Sequence, residues 1–214
     1  MDDSQRQPQP PKKVVVCGGG IIGVCTAYFL AKKGVAVTLI ERSSIACAAS
    51  GKAGGFLALH MCDGGPLSSL ARTSFNLHRS LAEQLHGSRS YGYRPLTALT
   101  VSVNESESPP PRNPILPSWV NGGVESGEVV GTMETTAQIE PQLFTRALLA
   151  TAVAEYGVEV VTAKVESVAA EGEGVVVKVD GGGVIGGVGM RWFWLLGRGL
   201  VSCRSYHMVR KYTA

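Results

Sequence analysis

Val14-Val15-Val16-Cys17-Gly18-Gly19-Gly20-Ile21-Ile22-Gly23 is the stretch on which the fold turns. Its first four residues are apolar on both faces and mostly β-branched, which predicts a strand buried in a parallel sheet. Beyond the glycines, Val24 to Lys33 carries apolar Ala27, Leu30 and Ala31 at helical spacing, and Gly34 suits the residue just past a helix end. Val35 to Ile40 is a second β-branched run, closed by Glu41-Arg42. Strand, helix and strand together make a βαβ unit of about 30 residues.

Gly18-x-Gly20-x-x-Gly23 lies where the first strand meets the helix. The first glycine permits a tight turn, the second lets a pyrophosphate approach the backbone, and the third lets helix and strand pack closely. Ile21 and Ile22 open the helix, whose N-terminal N–H groups and dipole favour an anion. Glu41 follows at about the expected 20 residues, where a carboxylate accepts from both ribose hydroxyls and repels a 2′-phosphate. FAD or NAD is therefore favoured over NADP. The bland alternative is a glycine-rich turn that binds nothing.

Ala48-Ala49-Ser50-Gly51-Lys52-Ala53-Gly54-Gly55-Phe56 follows after a short gap. Small residues and glycines let backbone N–H groups face a large planar or anionic ligand. An NAD dehydrogenase has no need of such a segment here, although a flexible loop would have the same composition.

Val14–Arg42 and Ala49–Gly55 together resemble the N-terminal half of FAD-dependent oxidoreductases of the D-amino-acid oxidase type. Gly55-Phe56-Leu57-Ala58-Leu59, Cys62-Asp63-Gly64-Gly65-Pro66-Leu67 and Leu70-Ala71-Arg72 extend the resemblance toward a poorly characterised eukaryotic branch. Glu140-Pro141-Gln142-Leu143-Phe144 through Gly157-Val158-Glu159-Val160 resembles the helix and strand that return to the nucleotide domain. The resemblance covers roughly residues 12–180. It implies FAD on Gly18, Gly20, Ile21, Ile22 and Gly23, with Glu41 on the ribose and Arg42 among the cofactor-binding residues. It places Ser50, Gly51, Lys52, Gly54 and Gly55 along pyrophosphate and flavin, and the backbone of Val165 at the adenine. It also implies oxidation of a C–N bond in a small-molecule amine or amino acid, with hydride passing to flavin N5. It names no catalytic side chain. Two rivals stand beside this reading: a non-catalytic nucleotide-binding remnant and an NAD-dependent dehydrogenase.

The expected fold is α/β: a Rossmann-like FAD-binding domain with a parallel sheet, plus part of a β-rich substrate domain. The expected divisions are a disordered leader at 1–11, FAD-binding segments at 12–90 and 136–180, a partial substrate domain at 91–135, and an atypical, poorly ordered tail at 181–214. Helices are predicted over 67–85, with Leu70, Ser74, Leu77, Leu81 and Leu85 inward, and over 141–156, with Leu143, Ala147, Leu148 and Val153 inward. Strands are predicted within 91–103, 129–139, 158–161, 164–169 and 175–179. Relatives of this type are usually much longer, so the chain reads as a truncated product.

Composition narrows the class further. The 214 residues are 44% hydrophobic and 17% charged, which excludes a wholly disordered chain. The net charge is +3, yet all 17 acidic residues precede residue 181, where they outnumber 15 basic ones. Arg191, Arg198, Arg204, Arg210 and Lys211 supply the excess, so the body gives no electrostatic reason to expect nucleic acid. Five cysteines with no Cys-x-x-Cys argue against a disulfide framework or a metal site. Free thiols and the absence of an apolar leader or spanning segment suggest the cytoplasm. Oligomeric state is left open. His60 stands near the glycine segment and Cys47 near the cofactor loop; ordinary loop roles are the default for both. Tyr93 and Arg94 lie on a predicted substrate-domain strand, where an arginine can hold a carboxylate bidentately.

Overall fold

Val14, Val15 and Val16 are each at most 2% exposed in a computed structural model of the chain. The model describes residues 13–103, 115–120, 124–171, 174–187 and 190–194. The expected leader, Cys203, His207 and most of the proline-rich loop lie outside them. The chain divides into two compact units, residues 1–53 with 145–214, and residues 54–144.

The first unit is built on β1 (Lys13–Cys17), α1 (Ile21–Lys32) and β2 (Ala36–Glu41). β1 and β2 are parallel, with Val15 opposite Thr38 and Cys17 opposite Ile40, as the βαβ reading requires. Helix α1 buries Val24, Ala27, Tyr28 and Ala31, whereas Leu30 is only half-buried. Its end follows the expected pattern. Gly34 N donates to Ala31 O and Val35 N to Leu30 O, with Gly34 at φ +83°. That left-handed turn is one glycine adopts without a Cβ penalty.

The second unit begins with β3 (Phe56–Ala58), α2 (Ser68–Gln84) and the single turn α3 (Gly87–Ser90). It continues with β4 (Arg94–Pro95), β5 (Ala98–Val103), β6 (Val124–Gly131) and β7 (Thr136–Gln138). β5 and β6 form an antiparallel pair, and β3-β7-β4 an antiparallel sheet. The inward face of α2 differs from the expected one. Leu70 is 67% and Leu77 41% exposed, while Phe75, Leu81, Ala82 and Leu85 are buried. The reason is aromatic packing: His78 and Tyr91 lie 4.9 and 5.0 Å from the Phe144 ring, which turns the Phe75–His78–Ala82–Leu85 side inward.

α4 (Pro141–Tyr156) runs from the second unit into the first. It buries Phe144, Thr145, Leu148, Leu149 and Ala152, and leaves Leu143 and Val153 more than 40% exposed. Its apolar residues occupy more than one side, so spacing alone selected the wrong pair.

β8 (Glu159–Thr162) then joins β2 in parallel. β9 (Val165–Glu171), β10 (Gly174–Val179) and β11 (Val184–Gly187) form an antiparallel sheet. β12 (Met190–Trp194) lies parallel to β1, completing the order β12-β1-β2-β8. Strands β11 and β12 fall where the sequence offered no assignable element. Their pairing is through backbone groups, which need no side-chain period. The core beneath combines Val15, Cys17 and Ile40 with Val175, Val177 and Val179.

Candidate cofactor site

The glycine turn is held from several sides within the first unit. Gly18 N donates to Ile40 O at 2.8 Å, and Ala46 N to Gly19 O at 3.0 Å. Gly20 is the N-cap of α1 and brings no capping side chain. The first turn of a helix leaves its N–H groups without intrahelical partners. Here Ile21 N donates to Ser50 Oγ at 2.9 Å. Ser50 sits on a tight turn, Ala49–Gly51, closed by Gly51 N to Ala48 O and Lys52 N to Ala49 O.

A Cβ on Gly23 would stand 1.9 Å from Gly18 O, so only glycine permits this helix–turn approach. A Cβ on Gly20 would lie 3.1 Å from Ser50 Oγ. Gly19, the x of the motif, is also constrained: a Cβ there would meet Ile45 Cδ1 at 2.5 Å and the Glu41 side chain at 3.1 Å.

Glu41 closes β2 and turns back on the glycines. Gly19 N donates to its Oε2 at 2.7 Å and Ser43 N to its Oε1 at 3.0 Å. Both bonds escaped the motif reading, although three consecutive glycines signal close backbone approach. Ala163 N donates to Glu41 O at 2.9 Å, bringing the start of β9, with Val165, to the end of β2. Arg42 and Lys52 are exposed, with no carboxylate in ion-pair distance among the described residues. The unit thus brings together Gly18 to Gly23, Glu41, Ser50 and the approach to Val165. Cys47 is exposed, and a hydrogen bond with Ser43, then one from the Ser44 backbone, lowers its thiol pKa. Cys25 is the reverse: burial pushes its thiol up to about 11.

Gly54 and Gly55 belong to the second unit. Gly55 has φ +75°, and a Cβ there would meet Ile139 O at 1.9 Å. Ile139 N in turn donates to Gly55 O at 2.9 Å, so β7 runs tightly against the glycine. His60 lies in the loop after β3, its Nδ1 3.0 Å from both Asp63 Oδ2 and Arg72 Nη2. Arg72 Nε donates to Asp63 Oδ1 at 2.9 Å and its Nη2 to Oδ2, while Ser68 Oγ adds 3.1 Å. These bonds, Arg72's first, bring the Asp63 carboxyl down to about 2.

The residues fit a dinucleotide. A helix N-terminus faces a hydroxyl-bearing loop, two glycines admit close approach, and a carboxylate stands at the end of the adjacent strand. This is the Rossmann-type arrangement on a parallel βαβ sheet. The family model of FAD dependent oxidoreductases matches residues 13–190, and the chain belongs to that family. The match continues ten residues past residue 180, where the expected resemblance ends.

Among curated relatives, "Putative oxidoreductase C1F5.03c" of Schizosaccharomyces pombe is 37% identical over 144 residues. Those residues are 64% of this chain and 37% of that protein. Among solved structures, glycine oxidase from Bacillus cereus superposes with a TM-score of 0.63 at 23% identity. The match covers 81% of this chain and 54% of that one. Glycine oxidase from Geobacillus kaustophilus gives 0.60 at 21% identity, covering 80% and 52%. At these identities the structures are similar in fold alone. The chain spans from about a third to half of the length of these proteins. No helix among the described residues is long and apolar enough to cross a membrane.

Proposed function

We propose that the chain holds FAD on Gly18, Gly20, Ile21, Ile22, Gly23, Glu41, Arg42, Ser50, Gly51, Lys52, Gly54, Gly55 and Val165. In this reading it forms the cofactor-binding part of an oxidoreductase acting on the C–N bond of an amine or amino acid. The observation that carries it is the convergence of Glu41 and Ser50 on the start of α1. FAD, when bound, supplies the two-electron acceptor for a substrate hydride. The protein's part is binding and orientation. The N-terminus of α1 and its dipole would favour the pyrophosphate, and Ser50, whose Oγ accepts from Ile21 N, would keep its own O–H to donate to a phosphate oxygen. Glu41 accepts from the ribose while keeping the Gly19 and Ser43 N–H groups. Arg42 and Lys52 add positive charge beside the phosphates. The names of the glycine oxidases support an amino-acid substrate, and the exposed thiol of Cys47 suits a reducing compartment such as the cytoplasm.

The test is direct. Purified chain titrated with FAD should quench flavin fluorescence and acquire resolved flavin absorbance bands. Glu41→Ala and Ser50→Ala should each weaken uptake. Peroxide release on a panel of amines and amino acids then tests turnover. Tight NAD binding without FAD uptake would overturn the assignment.

A further inference from the structure

Arg146, Leu149, Ala150 and Val153 fall at i, i+3, i+4 and i+7 of α4, on one face of the helix. With Ser44 and Ile45 of the loop after β2, they line an open groove of about 580 Å³ within the first unit. That volume lies in the range of small-molecule sites. Leu149 is buried at the bottom of the groove, while Val153 keeps 44% of its surface exposed. A buried leucine beside an outward valine gives the groove an apolar wall.

Arg146 stands at one end of this wall. It is exposed, and it makes no ion pair among the described residues. Its guanidinium presents a planar fork matched to a carboxylate. From Arg146 to Val153 the helix axis runs roughly 10 Å. An apolar chain laid along Val153, Ala150 and Leu149 therefore brings a terminal carboxylate to the fork.

The opposite wall is tied to the glycine turn. Ile45 lines the groove, and its Cδ1 stands 2.5 Å from where a Cβ on Gly19 would be. Ala46 N donates to Gly19 O at 3.0 Å, with Ala46 at φ +56°, a left-handed conformation that is costly for a residue with a Cβ. Ser43 N donates to Glu41 Oε1 at 3.0 Å. One loop thus connects the groove to both Gly19 and Glu41.

We propose that the groove binds a small carboxylate with an apolar chain, its head on Arg146 and its chain on Leu149, Ala150 and Val153. The occupant packs against Ile45 and holds the loop on the glycine turn. None of the groove residues is among those assigned to FAD. A loop already held in place spares the dinucleotide the cost of ordering it, so the occupant tightens FAD binding. That last consequence rests on the FAD reading; the groove and its occupant do not.

Octanoate, octanol and octylammonium are the probes, titrated into the full chain and followed by amide NMR. Octanoate should shift the amides of Ser44, Ile45, Ala150 and Val153, and slow hydrogen exchange at Ala46 by about fivefold, the scale of a modest coupling. Octanol should bind more weakly, and octylammonium more weakly still. Arg146→Gln should raise the octanoate Kd about fivefold to tenfold, as for a charge-assisted bond left partly in water. Val153→Glu should weaken octanoate further by setting a like charge beside the chain. Both side chains are exposed, and circular dichroism checks that the variants fold; the three probes on the wild type need no variant. Octylammonium bound as well as octanoate, shifts confined to other residues, an unchanged Kd in Arg146→Gln, or an unchanged Ala46 exchange rate overturns the inference. With FAD present, octanoate should lower the FAD Kd about fivefold, and FAD should lower the octanoate Kd by the same factor. Both ligands bound without coupling overturns the role of the loop. Failure to take up FAD overturns the functional reading instead, and the groove is then decided by the NMR titrations alone.

Discussion

Gly23→Ala adds one methyl group at the point where α1 passes closest to the glycine turn. The new Cβ would stand 1.9 Å from Gly18 O and 3.6 Å from Val16 Cγ1. The first neighbour is backbone, so no rotamer change relieves the clash, and the start of α1 must retreat by roughly 1 Å. Overpacking of this kind costs about 1–3 kcal/mol of stability. The same retreat stretches the 2.9 Å bond from Ile21 N to Ser50 Oγ beyond hydrogen-bond range. The pyrophosphate donors move with it. Losing one charge-assisted hydrogen bond, about 1.5–3 kcal/mol, weakens FAD binding roughly tenfold to a hundredfold. Urea unfolding followed by circular dichroism reads the first effect, and fluorescence titration with FAD the second. Gly54→Ala is the stability control, because a Cβ there meets nothing within 4 Å. Wild-type stability and FAD affinity in Gly23→Ala would refute both the close approach and its role.

Three other outcomes are expected. The Asp63 carboxyl, lowered to about 2 chiefly by Arg72, favours the folded state above its ordinary value near 3.8. That contribution fades as pH falls from there toward 2; Arg72→Gln should move the Asp63 midpoint, followed by carboxyl carbon NMR, back toward 3.8. Tyr91 is 1% exposed, its hydroxyl has no hydrogen-bond partner among the described residues, and burial pushes its pKa up to about 12. Tyr91→Phe removes an unpaired buried group at nearly constant volume, so urea unfolding should show equal or higher stability, by up to about 1 kcal/mol. Iodoacetamide at neutral pH should alkylate Cys47 well before Cys25, checked by peptide mass spectrometry, because one thiol is lowered and exposed and the other is raised by burial.

The βαβ unit was legible because its signals are local. The run Val14–Cys17, the three motif glycines and Gly34 each fix their own backbone with little help from elsewhere. The inward faces of α2 and α4 were not legible in this way. Leu70 and Leu77 satisfy a helical period as well as Phe75 and Ala82 do, and the choice between them belongs to Tyr91 and Phe144, which are distant in sequence. β12 depends wholly on a partner more than 170 residues away, so no local pattern could announce it. At the candidate site, Gly18, Gly20, Gly23 and Glu41 followed from spacing. The roles of Gly19 and Ser43 as donors to Glu41 required the loop after β2 to fold back, which spacing does not encode.

That fold-back clarifies why a glutamate closes β2. An ionised carboxylate offers about four acceptor positions on two oxygens. Here each oxygen already takes one backbone N–H, Oε2 from Gly19 and Oε1 from Ser43. One position on each remains, which matches the two hydroxyls of a ribose. A neutral amide side chain has a single acceptor oxygen and would leave one of the two N–H groups unmatched. A shorter acidic side chain would pull away from Gly19, which must approach closely enough that its own Cβ would collide. The same carboxylate can therefore brace the glycine turn in the protein alone and keep that bracing while accepting a ligand. On this account the turn is organised before any dinucleotide arrives, and the ligand need not meet the cost of forming it.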